Sequence, residues 1–201
     1  MTAQIFRFPT LAGTLWNNPS WLRSLTLTFA GAILLTVSAK FEVPFYPVPL
    51  TMQTFAVLGI GMVYGSRLGA FTVLLYLFAG MAGMPVFAGT PEKGIGLAYM
   101  MGPTGGYLLG FVLAAMLTGW LAERGWDRKI SSTFFAMVAG NAVIYLFGIT
   151  WLGTLVGWDK PVFAWGLMPF LSGDLFKIVL AMIVVPGAWK LLNARSSDPR
   201  N

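Results

Sequence analysis

The stretch from about Trp165 to Leu192 constrains this chain more than any other. It is apolar and long enough to cross a bilayer, yet between Lys160 and Lys190 it holds two charges, Asp174 and Lys177, within Gly173-Asp174-Leu175-Phe176-Lys177. An ionisable group in hydrocarbon costs on the order of 3 kcal/mol or more, so such groups face a cavity or a polar partner. Residues three apart on a helix share a face, so Asp174 and Lys177 can neutralise each other while both point into a bundle. The pair then offers a hydrogen-bond acceptor beside a donor. One reading is a structural ion pair, or a Lys177 that snorkels to the interface; the other is a polar ligand site. The second is favoured because a buried pair adds little stability and an apolar helix inserts without one.

Composition sets the class. A chain of 201 residues that is 57% hydrophobic and 10% charged, with mean hydropathy +0.74, departs strongly from soluble domains and reads as an all-α integral membrane protein. With no cysteine and no histidine it lacks disulfides, a thiol nucleophile, the usual zinc ligands and imidazole acid–base chemistry. No Lys is followed by Ser or Thr, and no Gly-x-Ser-x-Gly elbow occurs, so neither a Walker-type phosphate loop nor a hydrolase nucleophile is present. The net charge of +6 lies in short loops and tails between apolar runs. Membrane topology explains it better than nucleic acid does.

Six apolar segments follow one another. Residues 1–23 form a polar, aromatic leader that lacks the pattern of a secretory signal; residues 24–192 form the membrane domain, and 193–201 a polar tail. The first span is Ser24 to Ala39, slightly short and so extended by a few residues at either end. Pro44, Pro47 and Pro49 make Phe41 to Leu50 an extended loop. The second span is Thr51 to about Tyr64, with Thr51 as cap and Gln53 just inside. Gly65-Ser66-Arg67 is the turn to the third, Leu68 to about Ala82. Val86 to Gly106 is a long loop with six glycines, which permit sharp turns and close approach to a ligand, or serve as plain loop punctuation. The fourth span starts near Thr104 to Tyr107 and reaches Ala122; the fifth is Ser131 to Gly153; the sixth is the segment that opened this section.

Six spans put both termini on one side. That side collects Arg7, Arg23, Arg67, Arg124, Arg128, Lys129, Lys190, Arg195 and Arg200. The other collects Lys40, Lys93 and Lys160, each with an acidic neighbour in its loop. The positive-inside rule therefore makes both termini cytoplasmic and turns the Pro-rich and Gly-rich loops outward. Asp174, near the start of the sixth span, lies toward the same outer end, which reads as the ligand entrance.

Several motifs then carry a resemblance. Pro47-Val48-Pro49-Leu50-Thr51-Met52-Gln53-Thr54, Gly83-Met84-Pro85-Val86-Phe87-Ala88-Gly89, Gly102-Pro103-Thr104-Gly105-Gly106-Tyr107 and Gly173-Asp174 with Lys177 occur in the order found in the BioY family, and the chain resembles that family from about Val43 to Leu191. The resemblance implies a six-helix protein of a bacterial plasma or inner membrane that captures biotin from outside. It implies the role of S component in an energy-coupling-factor (ECF) transporter, with a membrane T component and two cytoplasmic ATPases, although some members stand without those partners. Two positions depart from the family pattern. Leu108 follows the Gly-Gly-Tyr run where some members carry a basic residue, and Thr90-Pro91-Glu92-Lys93 replaces a shorter Gly-rich run.

The residues themselves agree with such a ligand. A ureido ring presents N–H donors beside a carbonyl, which Asp174 and Lys177 match. Tyr46, Phe87, Tyr107, Phe45 and Trp151 are candidate walls for the apolar part, with Gln53 a further polar group. The carboxylate has two candidate partners: the backbone N–H groups of Gly102, Thr104, Gly105, Gly106 and their neighbours at the start of the fourth span, or Lys93. Small residues recur every four positions at Ser24, Thr28, Ala32 and Thr36, at Gly61, Gly65 and Gly69, and at Gly102, Gly106 and Gly110. They allow close helix approach, within the bundle, in self-association or, for the first set, against a T component. The alternatives are an S component for another vitamin and a membrane enzyme using Asp174 and Lys177 as acid and base. No cofactor or metal is expected.

Overall fold

The computed structural model describes residues 9–15 and 20–196. Arg7, Arg200 and residues 197–201 lie outside the described residues, as do parts of the expected leader. A short α1 (Leu11–Leu15) precedes α2 (Trp21–Lys40), the antiparallel ribbon of β1 (Glu42–Val43) and β2 (Leu50–Thr51), α3 (Gln53–Tyr64) and α4 (Ser66–Met81). A short α5 (Gly96–Met100) then interrupts the loop before α6 (Gly105–Ala122), followed by α7 (Ile130–Val156), α8 (Val162–Gly166) and α9 (Met168–Ser196). All six apolar segments are helical. The first is longer at both ends than Ser24 to Ala39, and the sixth divides at Leu167 into α8 and α9.

By length and composition, α2, α6, α7 and the run Val162–Ala194 are able to cross a membrane. The other two of the six expected spans are shorter apolar helices. α3 has 12 residues and α4 has 16, short of the roughly 20 that a span requires. α3 starts late because three prolines precede it and cannot donate the N–H groups of further turns. The ribbon takes over that height: Met52 N–H donates to Phe41 O at 3.2 Å, while Val48 and Pro49 are buried. Non-helical backbone at such depth is tolerated where it lines a cavity. Thr51, expected as the cap of the second span, belongs to β2; Met52 takes the cap position, and Thr51 Oγ1 accepts the Gln53 N–H at 3.2 Å.

α6 is the centre of the bundle. It packs on α3, α4 and α7 and is 67% buried. A Cβ at Gly106 would fall 2.4 Å from the Phe147 carbonyl oxygen, so only glycine lets α6 approach α7 this closely. The expected three-residue turn before the third span contracts to Gly65, whose φ of 87° suits glycine. Glu123, at the end of α6, then caps α4: its Oε1 accepts the Ser66 N–H and Oγ–H, both at 2.8 Å. Gly61, Gly69, Gly106 and Gly110 thus serve packing within the bundle. On α2 the buried face is Gly31, Leu35, Ser38 and Ala39, which leaves Ser24 exposed and Thr28, Ala32 and Thr36 half-buried along its margin.

Contacts between helix ends divide the molecule into two poles. Arg23 bonded to Ala12 O, Ser66 to Glu123, Arg128 to Pro9 O and Trp189 to Asp127 gather α1, the α3–α4 turn, the α6–α7 loop and the end of α9. Lys40 bonded to Phe87 O, Trp151 to Gly102 O and Tyr107 to Gly166 O gather the long loops and α8 at the other pole. Arg67, Arg124, Lys129 and Lys190 belong to the first pole, Lys40, Lys93 and Lys160 to the second.

Candidate functional site

Asp174 and Lys177 lie in the second and third turns of α9 and point inward, 4% and 7% exposed. Lys177 Nζ is 3.0 Å from Asp174 Oδ1. The sequence did not single out the two groups that complete the cluster. Thr54, in the first turn of α3, accepts from Lys177 Nζ at 2.9 Å and donates to Asp174 Oδ1 at 3.2 Å. Tyr145 of α7 donates its hydroxyl to Asp174 Oδ2. One pair on α9 is thereby tied to α3 and α7. A signal for Tyr145 existed: with Asn141 it places two polar groups four residues apart in an apolar span.

The cluster closes one side of a small cavity. Gln53, Thr54 and Lys177 supply polar groups. Phe111, Ile144, Phe170 and Leu108 supply apolar wall from α6, α7 and α9, and Val48, Pro49, Phe87, Ala88 and Tyr99 supply it from the two long loops. The loops are held as fixed walls. Lys40 Nζ donates to Phe87 O, Thr90 O and Thr90 Oγ1 at 2.9–3.1 Å, so it clamps the long loop, a role its neighbour Glu42 concealed in the sequence. Tyr76 donates to Val86 O and Tyr99 to Ala88 O. Phe87 sits between those rings, edge-on to Tyr76 and stacked on Tyr99 with centroids 4.9 Å apart. Burial pushes the Tyr99 phenol above its ordinary pKa, which keeps it a donor.

The structure sorts the expected site residues. Asp174, Lys177, Gln53, Phe87, Thr104 and Tyr107 come together at the cavity, Asp174 through Lys177. Gln53 also donates to Tyr76 OH at 2.7 Å, and the Tyr107 hydroxyl donates to Gly166 O at 2.7 Å, leaving its ring as wall. Lys93 and Gly102 line a side cleft that shares Pro49, Tyr99 and Thr104 with the cavity. Tyr46 does not contribute, being 85% exposed beyond the ribbon. Trp151 anchors the Gly102 carbonyl through its indole N–H at 2.9 Å and lies outside the wall. Gly105 and Gly106 face Met100, Trp151 and Phe147. The Gly102 and Gly105 amides are already donated to Tyr99 O and Gly102 O, so the glycine run offers fewer free donors than its sequence promises. Leu108 is buried in the cavity wall.

The fold and site define a polytopic helical membrane protein with a cavity and a buried charged pair beside it. Comparison with known proteins narrows this: the BioY family model matches residues 9–194, and the chain belongs to that family. The "Probable biotin transporter BioY" of Pyrococcus horikoshii is 38% identical over 162 residues, which span 81% of this chain and 93% of that protein. The "Biotin transporter BioY" of Rhizobium etli is 37% identical, with 86% and 96% covered. A solved structure, the S-component for biotin from an ECF-type ABC transporter, superposes with TM-score 0.69 over 84% of this chain and 92% of that one, at 21% identity. That likeness shows the shared fold.

The cluster generates a stability prediction. Asp174→Leu or Lys177→Met alone leaves one buried charge without its partner and is expected to cost about 3–5 kcal/mol, whereas the double variant recovers most of the loss. Thermal unfolding in detergent measures this; a double variant as unstable as the singles would show that the pair does not act as a unit.

Proposed function

We propose that this chain captures biotin from the outer side of the membrane and takes part in its translocation. The observation that carries the reading is the Asp174–Lys177 pair, which reaches a largely apolar cavity through Lys177, in a chain of the BioY family. Asp174 accepts and Lys177 donates, which suits the N–H and carbonyl of a ureido ring. Phe87, Phe111, Ile144 and Phe170 provide walls for the sulfur ring and alkyl chain. The carboxylate is assigned to the far side, where Thr104 and Tyr99 border the cleft that holds the exposed Lys93. Both Asp174 oxygens are already hydrogen-bonded, an arrangement fitted to recognition more than to the proton uptake a membrane enzyme would require.

Equilibrium binding of radiolabelled biotin to the purified protein tests this reading, with another vitamin as the competing cargo. The double variant Asp174→Leu with Lys177→Met is expected to bind at least tenfold more weakly at similar stability. One charge-assisted hydrogen bond is worth roughly 1.5–3 kcal/mol. Wild-type affinity in a stable double variant would end the site assignment.

The reading includes an orientation, with the pole of Arg67, Arg124, Lys129 and Lys190 cytoplasmic and both termini on that side. It counts α3 and α4 as spans completed by the loops beside them. Because the chain has no native cysteine, a cysteine at Glu92 in intact cells is expected to react with an impermeant thiol reagent while one at Ser197 is shielded. Labelling at 197 from outside would reverse the orientation.

For partners, the likeness to an ECF S component supports assembly with a T component and two ATPases, and the sequence carries no Walker-type phosphate loop. Self-association is the alternative. The margin of α2 with the exposed Ser24 and the half-buried Thr28, Ala32 and Thr36 is the proposed docking stripe. Ala32→Trp is expected to impair uptake or assembly while biotin binding by the isolated chain stays within about twofold of wild type. Equal loss of binding and assembly would assign the stripe to internal packing.

A further inference from the structure

At the basic pole, α7 and α9 border a shallow groove whose rim and floor differ in chemistry. Arg128, Lys129 and Lys190 stand at the rim, and Phe134, Phe135 and Met182 form the floor with Pro186. The register sets this order. Phe134 is about 7 Å deeper along α7 than Lys129, and Met182 about 12 Å deeper along α9 than Lys190, at 1.5 Å per residue. Phe135 is 60% exposed, so the floor is open to the surroundings of the bundle. The rim is cationic by construction. The Arg128 guanidinium lies 4.2 Å over the Trp189 ring, and the Trp189 indole N–H donates to the fully buried Asp127 at 2.6 Å. Lys129 and Lys190 are exposed, and neither forms an ion pair with a described residue. The cavity at the other pole uses none of these groups.

We infer that this groove binds an anionic phospholipid of the leaflet at the basic pole, with its phosphate among Arg128, Lys129 and Lys190 and an acyl chain along Phe134, Phe135 and Met182. Charge above and hydrocarbon below, within one groove, match an amphiphile held at a membrane surface. A free anion would use only the exposed rim, and a nucleic acid or acidic peptide would leave the apolar floor uncovered. A zwitterionic lipid would bring its own cation against three others. The bound lipid bridges α7 and α9, the same two helices that Tyr145 and Asp174 join at the cavity.

The test titrates purified protein with phosphatidylglycerol or with phosphatidylcholine of the same acyl chains and counts bound lipid by native mass spectrometry. Wild type is expected to prefer phosphatidylglycerol. Lys129→Gln with Lys190→Gln should weaken that preference by roughly fivefold for each lysine removed, while the matching pair of Lys→Arg changes keeps it. Arg67→Gln, an exposed cation at the same pole on α4, is expected to leave it intact. Millimolar inorganic phosphate should not displace the lipid. Equal retention of the two lipids, equal loss in Arg67→Gln, or displacement by phosphate would each overturn the inference, pointing respectively to an apolar groove, diffuse charge and a small-anion site. Unfolding temperature and biotin binding confirm that every variant is folded.

Discussion

Polar atoms withdrawn from water must find partners inside the protein, and the position of α9 follows from how that requirement is met. Asp174 and Lys177 cannot face lipid without a large penalty, so their side of the helix must turn inward. There they meet Thr54, which bonds to both, and Tyr145, which donates to Asp174. Leu175 and Phe176, between the two charges, point the other way and are 58% and 65% exposed. A rotation of α9 by one residue, about 100°, would bury those apolar groups and expose the pair. The cluster thus sets the rotation of α9 against both α3 and α7, which apolar packing alone would leave less sharply defined.

The same requirement shapes the loops. Residues 86–90 present carbonyl groups with no helix to satisfy them, and Lys40, Tyr76 and Tyr99 reach in from three elements to donate to them. With Phe87 packed between two tyrosine rings, this part of the loop is a wall of the cavity. The ribbon before α3 acts likewise, since its proline-rich strand connection replaces helical turns that would otherwise fill the space in front of Thr54. A shorter α3 is therefore part of how the cavity comes to exist.

The apolar runs and their Gly and Pro boundaries made the helices legible, because hydrophobic length and helix-breaking residues act locally. The charged pair was legible for the same reason: two ionisable groups in hydrocarbon stand out in any window. What stayed hidden depends on which residues from distant segments meet. Tyr145, marked in the sequence only by its spacing from Asn141, shows its partner when α7 is placed beside α9, and Lys40 looks like a loop charge balanced by Glu42 until the long loop folds over it. Tyr46 failed the other way. Its place beside Pro47 in a motif marked it as wall, but the ribbon carries Val48 and Pro49 inward and leaves Tyr46 outside. The glycines at 105 and 106 read as backbone donors for a carboxylate, whereas their surroundings use them for close packing against Met100, Phe147 and Trp151.

On the proposed reading, the cluster also accounts for selectivity. Asp174 and Lys177 satisfy each other, with Thr54 bonded to both, so neither is a lone buried charge. A ligand with an N–H donor beside a carbonyl can exchange hydrogen bonds with both groups and leave each still partnered. One that offers only a donor or only an acceptor displaces part of the network and strands the opposite group, which costs far more than a missing apolar contact. Lys93 acts differently, because an exposed ammonium at the side cleft contributes more to attracting an anionic ligand than to holding it. Recognition by the buried pair and attraction by the exposed lysine are thus separate in space. They also respond differently to salt, the first being sheltered from counterions and the second open to them.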